Sequence, residues 1–172
     1  MPEGLETVLS PQDVADVVGY VQSISVPRKQ FAGNTPRVAP VRNDNSIRLF
    51  AMHAEIYGPK VVLEERYRNL GFWSDSNDRA VWKIDAAKAG RYELHLDYAC
   101  SPQSRRNRFQ IRVNGQTLGG SVDFTKSWDD YRSHKVGMIE LPEEPVTLSI
   151  QSDGPVDGFV MDLRTILLYP SD

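Results

Sequence analysis

The residues best suited to chemistry in this sequence are not spaced for catalysis. Its three histidines, His53, His95 and His134, lie far apart, and none belongs to a metal-binding pattern such as His-Glu-x-x-His. Acidic pairs such as Asp129-Asp130 are adjacent in sequence, which does not place two carboxylates across a substrate. No serine has a nucleophile-elbow context, and no glycine loop is suited to phosphate. We therefore expect no catalytic activity.

Trp128 is a better candidate for a binding residue. It lies in the polar stretch Phe-Thr-Lys-Ser-Trp-Asp-Asp-Tyr-Arg-Ser, where no buried strand face accounts for an indole ring. A tryptophan exposed in a loop offers a flat apolar surface on which the C–H face of a pyranose ring can stack. This pattern indicates a binding loop that other elements must hold in place.

Those elements are predicted to be strands. Tyr92, Leu94, Leu96 and Tyr98 alternate with polar residues, which is typical of a strand with one buried face. The alternation resumes over residues 109–113 and stops at Asn114-Gly115, a dipeptide suited to a tight hairpin turn. About nine short strands, the first over residues 47–57, are separated by turn signals at close intervals. The pattern predicts an all-β, two-sheet antiparallel sandwich.

The N-terminal segment differs from the rest of the chain. Ser10 suits a helix N-cap and Pro11 the first helical position, while valines recur at helical spacing up to Val21, so we predict one helix within residues 1–24. The proline-rich residues 25–45 have no periodicity and are predicted to form a linker or a surface strap. The sandwich is then expected to span residues 46–170.

Composition excludes several classes of protein. At 172 residues the chain is long enough to close a hydrophobic core without disulfides, and its lone cysteine, Cys100, is expected to be a small buried side chain. No apolar run is long enough to cross a membrane. The formal charge of −3 provides no broad positive field, which argues against nucleic acid as a partner.

Several short motifs, in this order and spacing, resemble a known family. It is the family 6 and 35 group of carbohydrate-binding modules, which are galactose-binding-like jelly rolls, and the resemblance spans roughly residues 47–169. The motifs are Ala54-Glu55, Gly71-Phe72, residues 78–84, residues 89–92, Tyr98-Ala99, residues 113–115, Ser127-Trp128 and residues 159–168. The resemblance implies a jelly-roll sandwich without catalytic machinery that binds a glycan or polysaccharide in a cleft built from loops.

The resemblance also implies site residues. Trp128 corresponds to one wall of the sugar cleft, and the opposite wall is expected to be Phe72 or Trp73, unless those two rings cap the open end of the sandwich. Asp75, Asn77 and Asp78, which lie beside these rings in sequence, are candidates to hydrogen-bond sugar hydroxyls. The family commonly has an asparagine where this chain has Val160, and Asp153 or Asp157 in the preceding loop is a candidate to replace it.

A calcium ion is the implied cofactor. Glu55 and Asp162 match the family's two acidic ligands, although His53 stands where a glutamine or glutamate is common. The alternative is that the two carboxylates hydrogen-bond backbone groups where the first and last strands meet.

Residues 1–24 resemble the end of a class I cytochrome c domain, in which Met1 would correspond to the axial haem ligand. The chain has no Cys-x-x-Cys-His motif, so we expect no haem in it. Either these residues follow an upstream haem domain, or Met1 is an initiator and the helix packs on the sandwich. The two resemblances imply an extracytoplasmic protein, periplasmic or secreted. The first hypothesis is a glycan-binding module of a larger redox protein; the second is an interaction module that binds no sugar.

Overall fold

Strands account for most of the regular structure. The structure is a computed structural model that describes residues 26–104 and 106–171; the predicted helix and its cytochrome-like residues lie outside that part of the chain. The strands are β1 Ile47–Phe50, β2 Glu55–Tyr57, β3 Val62–Glu64, β4 Asn69–Gly71, β5 Arg79–Ile84, β6 Gly90–Ala99, β7 Arg108–Val113, β8 Gln116–Ser121, β9 Arg132–Leu141, β10 Val146–Ser152 and β11 Asp162–Ser171.

The strands form two antiparallel sheets. The first has the order β3-β4-β11-β6-β9, with β1 also paired to β11, and the second has the order β2-β5-β10-β7-β8. Their inner faces enclose one hydrophobic core in which Trp82, Leu94, Leu96, Ile111 and Ile150 are almost completely buried. The predicted two-sheet antiparallel sandwich is confirmed.

Local turn chemistry explains how the two strands around Asn114-Gly115 are joined. Asn114 has φ of 44° and Gly115 has φ of 73°, and Val113 pairs directly with Gln116. Two consecutive residues in the left-handed region match the right-handed twist of a hairpin, and both residue types tolerate that region. The predicted hairpin is confirmed.

The prediction of one strand over residues 47–57 is wrong. A single turn of 3-10 helix, Ala51–His53, separates β1 from β2, and the two strands belong to different sheets. Ala51, the first residue of this turn, and Ala54, which follows it, are fully buried. The indole N–H of Trp82 donates to the Phe50 carbonyl (2.8 Å), which holds the chain where it leaves the first sheet.

Residues 26–45 lie along the sandwich and contact it. Ala39 donates its N–H to Lys83 and accepts from Asp85, and Lys29 donates its N–H to Ile56. Cys100 is buried as predicted, and this burial raises the pKa of its thiol to about 11. Among the described residues, no helix is long and apolar enough to cross a membrane.

Candidate functional site

An open cavity of about 190 Å³ lies at the outer face of the first sheet, beneath three loops. It is lined by Glu64, Phe72, Trp128, Phe159 and Asp162, a group that we call the aromatic cleft. Phe159 meets Phe72 edge to face with ring centroids 5.9 Å apart, and it meets Trp128 in the same way at 6.3 Å. Phe72 is 55% exposed and Phe159 is 41% exposed, so two rings show apolar surface to solvent.

Phe72 owes its exposure to an unusual backbone conformation. It follows β4 directly and has φ of 54°, in the left-handed region that few bulky residues occupy. The next residue, Trp73, points into the core and is only 1% exposed. Its indole N–H donates to the Asp78 carbonyl (3.1 Å), which satisfies the polar atom of the buried ring. The turn therefore sends one aromatic ring outward and the next inward.

Phe159 is held by bonds to its neighbouring backbone. Val160 donates its N–H to the Trp73 carbonyl (2.8 Å). The Phe159 carbonyl accepts from Asn107 Nδ2 (2.9 Å) and from Ser104 Oγ (3.0 Å). The buried Asn107 side chain thus fixes the loop before β11, and with it the ring at the centre of the cleft.

Trp128 lies in a compact loop between β8 and β9. The Thr125 hydroxyl lies within hydrogen-bond distance of the carbonyls of Cys100 (3.2 Å) and Ser127 (2.9 Å) and can donate to either of them. Asp130 Oδ2 accepts from the N–H of Lys126 (3.1 Å). The ring is partly buried against the core, so one of its surfaces is used for packing and the rest lines the cleft.

The polar side of the cleft follows from strand alternation. In β3, β4 and β11, Leu63, Leu70 and Leu163 are buried, while their neighbours Glu64, Gly71 and Asp162 lie on the outer face. A Cβ on Gly71 would collide with Glu64 Oε2 and would lie 3.0 Å from Asp162 Oδ1. Because Gly71 has no side chain, both carboxylates can approach its backbone.

Asp162 has the most perturbed pKa in the cleft. Burial, followed by the negative charges of Glu64 and Asp129, raises the pKa of Asp162 to about 7. Burial likewise raises the pKa of the neighbouring Tyr131 to about 12, with the charge of Asp162 as the next cause. The cleft therefore concentrates negative charge beside apolar rings, and a partner that supplies positive charge or hydrogen-bond donors would relieve it.

Not all predicted sugar-binding residues reach the cleft. Phe72 and Trp128 line it, whereas the ring of Trp73 is buried. Asp78 is fully buried, and its carboxylate accepts N–H bonds from Lys60 (2.8 Å) and Asp75 (3.1 Å). It therefore holds the loop rather than facing a ligand.

Asp157 and Val160 flank the Phe159 loop. Asp157 is exposed, and its backbone N–H donates to Asn107 Oδ1 (2.9 Å). Val160 is 1% exposed and points inward, so a side chain at this position does not reach the cleft. Phe159 lines the cleft in its place.

The two predicted calcium ligands line different cavities. Glu55 accepts from the Tyr57 hydroxyl (2.8 Å) and pairs with Lys83 (3.3 Å), in a cavity that also contains Arg37 and His53. Asp162 lies instead beside Glu64. Among the described residues, no three His, Cys, Asp or Glu side chains are arranged to hold a metal ion. The structure therefore places Glu55 and Asp162 in different surroundings.

Asn69 supplies another oxygen close to Glu64, the residue beside Asp162 in the cleft. Its Nδ2 donates to Glu64 Oε2 (2.9 Å), while its buried Oδ1 has no hydrogen-bond partner within the described chain. Carboxylates and amide carbonyls are the hard donors that calcium prefers. Glu64, Asn69 and Asp162 together supply oxygen donors of this kind.

Several solved structures with a similar fold are carbohydrate-binding modules. A family 35 carbohydrate binding module from Clostridium thermocellum matches with a TM-score of 0.61 and 16% identity, over 73% of this chain and 98% of that chain. CBM35 from Paenibacillus barcinonensis matches with a TM-score of 0.59 and 19% identity, over 72% of this chain and 98% of that chain. The chain therefore has a jelly-roll fold similar to that of these modules.

A third match belongs to a longer enzyme. The GH26-CBM35 β-(1,4)-mannanase of Podospora anserina matches with a TM-score of 0.59 and 18% identity over 76% of this chain, but only 28% of that chain is covered. No family model and no curated protein matches the sequence. At these identities the similarity shows the jelly roll and nothing finer.

Two residues of the cleft were missed by reasoning from the sequence. Phe159 lies in a glycine-rich and proline-rich loop, where the only available signal was a second apolar residue next to Val160. Glu64 precedes a second acidic residue in a run of charges, which gave no reason to prefer it to Glu65. Only strand alternation in the folded sheet separates the two glutamates.

Proposed function

We propose that this domain is a non-catalytic carbohydrate-binding module that binds a glycan in the aromatic cleft. The observation that supports this most directly is the convergence of Phe72, Trp128 and Phe159 on one cavity. Partly exposed rings provide stacking surfaces for sugar C–H faces, and the carboxylates of Glu64 and Asp162 accept hydrogen bonds from hydroxyls.

The size of the cleft favours a short ligand segment. Its volume of about 190 Å³ is smaller than the roughly 300–1,000 Å³ of typical small-molecule pockets. It is also open to solvent, because it lies on the outer face of the sheet beneath loops. A single terminal or branching sugar ring suits such a site better than a long buried chain.

The wider context is also part of the proposal. Residues 1–24 suggest attachment to a haem domain of a larger, extracytoplasmic redox protein, and this suggestion rests on sequence resemblance alone. In that arrangement, the module would bring the redox domain to a polysaccharide surface. Simultaneous attachment would raise the effective concentration of the redox domain there.

Glycan binding is tested with a glycan microarray, followed by affinity electrophoresis in gels that contain β-(1,4)-mannan or β-1,3-galactan. These two polymers are chosen because the structural neighbours include a β-(1,4)-mannanase and an exo-β-1,3-galactanase. We expect Phe72→Ala and Trp128→Ala each to weaken any measured binding about tenfold, since each removes a stacking surface. Phe124→Ala removes an exposed ring outside the cleft and serves as the matched control.

The outcomes separate the two candidate functions. Loss of binding in the cleft variants but not in Phe124→Ala would assign the site. A wild-type chain that binds nothing on the array would favour the interaction module without a sugar ligand. Equal losses in all three variants would indicate a different site.

We also propose that calcium binds beside the cleft through Glu64, Asn69 and Asp162. Such an ion would neutralise the paired carboxylates, and its remaining coordination positions would be open to water or sugar hydroxyls. The melting temperature of the full chain is expected to rise in excess CaCl₂ and to fall with chelator. Glu64→Gln should abolish this shift, whereas Glu55→Gln should preserve it. A melting temperature that is the same in calcium and in chelator would rule out the site.

A further inference from the structure

Arginines from distant parts of the chain gather on one face of the molecule. The chain as a whole carries a formal charge of −3, so this face is a local exception. We call it the basic face and define it by Arg37, Arg42, Arg48, Arg66, Arg68 and Arg164.

The basic face contains adjoining cavities rather than a smooth surface. One cavity of about 300 Å³ is lined by Arg37, Arg42 and Arg48, and another of about 420 Å³ is lined by Arg66, Arg68 and Arg164. Both are also lined by Phe50 and His53, which join them into one continuous surface. The aromatic cleft shares no lining residue with either cavity.

These six arginines have no ion-pair partners among the residues that the structure describes. Three arginines elsewhere in the chain do have such partners: Arg106 pairs with Asp123, Arg108 with Asp153, and Arg132 with Asp130. The charge of Arg42 acts on the carboxylate of Asp44, and the charge of Arg164 acts on that of Asp97. Neither of these two carboxylates is within ion-pair distance of its arginine. The face therefore has an excess of positive charge.

Aromatic rings lie between the guanidinium groups. Phe50 is 40% exposed and Tyr67 is 42% exposed, and the Arg66 guanidinium lies 5.3 Å from the Tyr67 ring centroid. His53 meets Phe50 edge to face at 6.0 Å. Burial lowers the pKa of His53, so the positive charge of this surface comes from its arginines.

We propose that the basic face is a second polysaccharide-binding surface, which takes a glycan carrying carboxylate or sulfate groups. A guanidinium binds such groups through two parallel hydrogen bonds, and half-exposed rings between the arginines offer stacking surfaces for the sugar rings. Phosphate backbones are usually met by a broad field of lysine and arginine, whereas here the positive charge is confined to arginines around two cavities. The combination of arginine guanidinium groups and aromatic surfaces therefore favours an anionic glycan over nucleic acid.

Dextran sulfate and unmodified dextran form a matched pair of probes for this surface. In affinity electrophoresis of the full chain, we expect retardation by dextran sulfate and none by dextran. Polygalacturonate, tested in parallel, distinguishes carboxylate from sulfate as the preferred group. Arg48→Gln/Arg66→Gln should weaken binding of the anionic polymer at least about tenfold, because it removes one guanidinium from each cavity.

Arg106→Gln/Arg108→Gln is the control, since it changes net charge by the same amount at ion-paired arginines outside the face. Unchanged melting temperatures of both double variants show that they are folded. Equal weakening in both double variants, or none in the first, would overturn the proposal. Tighter binding of an oligodeoxythymidylate than of either anionic polysaccharide would assign the face to nucleic acid instead. The result does not depend on the aromatic cleft, so failure of the cleft variants and failure of this proposal are distinguishable.

Discussion

At the scale of single residues, Phe72 and Trp73 show how the backbone assigns different roles to similar side chains. Phe72 is exposed in a left-handed conformation and lines the cleft, while Trp73 is buried and bonded to the Asp78 carbonyl. The Trp73 carbonyl also accepts from Val160, next to Phe159. Trp73 therefore positions two of the cleft rings without touching a ligand.

Substitutions at these neighbours are expected to separate stability from binding. Trp73→Phe keeps most of the apolar volume but leaves the Asp78 carbonyl without its donor, so we expect a loss of about 1–3 kcal/mol in the free energy of unfolding. Phe72→Ala, at an exposed position, should change that free energy by less than about 0.5 kcal/mol. Urea denaturation of both variants measures the difference. A larger loss in Phe72→Ala than in Trp73→Phe would contradict the assigned roles.

At the scale of elements, the strap of residues 26–45 links the basic face to the sandwich. Asn34 Nδ2 donates to the carbonyls of Met52 (3.1 Å) and Ala54 (3.0 Å), at the turn where the chain passes between sheets. Arg37 and Arg42 belong to this strap, whereas Arg48 belongs to β1. The shape of the basic face thus depends on how the strap is held against the 3-10 turn.

Loss of the Asn34 side chain should loosen the strap. Asn34→Ala removes two side-chain hydrogen bonds, so we expect the free energy of unfolding to fall by about 1–3 kcal/mol and binding to dextran sulfate to weaken. Asn43→Ala, at an exposed strap position, is the control and should change neither. Urea denaturation and affinity electrophoresis provide the two measurements. If Asn34→Ala destabilises the chain but leaves dextran sulfate binding intact, the strap does not shape the face.

At the scale of the whole molecule, two surfaces of opposite charge share one jelly roll. The aromatic cleft contains the carboxylates of Glu64 and Asp162, and the basic face contains six arginines without an ion-pair partner in the part of the chain that the structure describes. They approach each other at Tyr131, where the Arg164 guanidinium lies 3.4 Å from the ring centroid and where burial, followed by the charge of Asp162, raises the tyrosine pKa to about 12. The small net charge of the chain conceals this separation.

Ionic strength should therefore distinguish the two surfaces. Raising NaCl from about 50 mM to about 200 mM is expected to weaken dextran sulfate binding at least about tenfold, because salt screens exposed charges and lowers the gain from counterion release. Binding of a neutral glycan in the cleft should change less than about twofold, since stacking and neutral hydrogen bonds are screened little. Affinity electrophoresis at both salt concentrations compares them. A parallel loss for both ligands would indicate a single, charge-dependent site.

The sequence alone predicted the features that depend only on residues close together in the chain, namely individual strands and a turn. Alternation along β6 and β7 predicted strands, and Asn114-Gly115 predicted their hairpin, because side-chain period and turn conformation are local properties of the chain. Trp128 in its polar loop was recognisable for the same reason.

Only the tertiary structure decided which residues meet. In the structure, the predicted first strand is interrupted at Ala51–His53, and the Trp73 ring is buried. Phe159 and Glu64 line the cleft. Arginines from positions 37 to 164 lie on one face. Strand pairing brings together segments that are distant in sequence, and local side-chain patterns do not specify which strands will be neighbours. Most strands of this protein can therefore be predicted from its sequence, while both of its proposed binding surfaces arise from how the two sheets assemble.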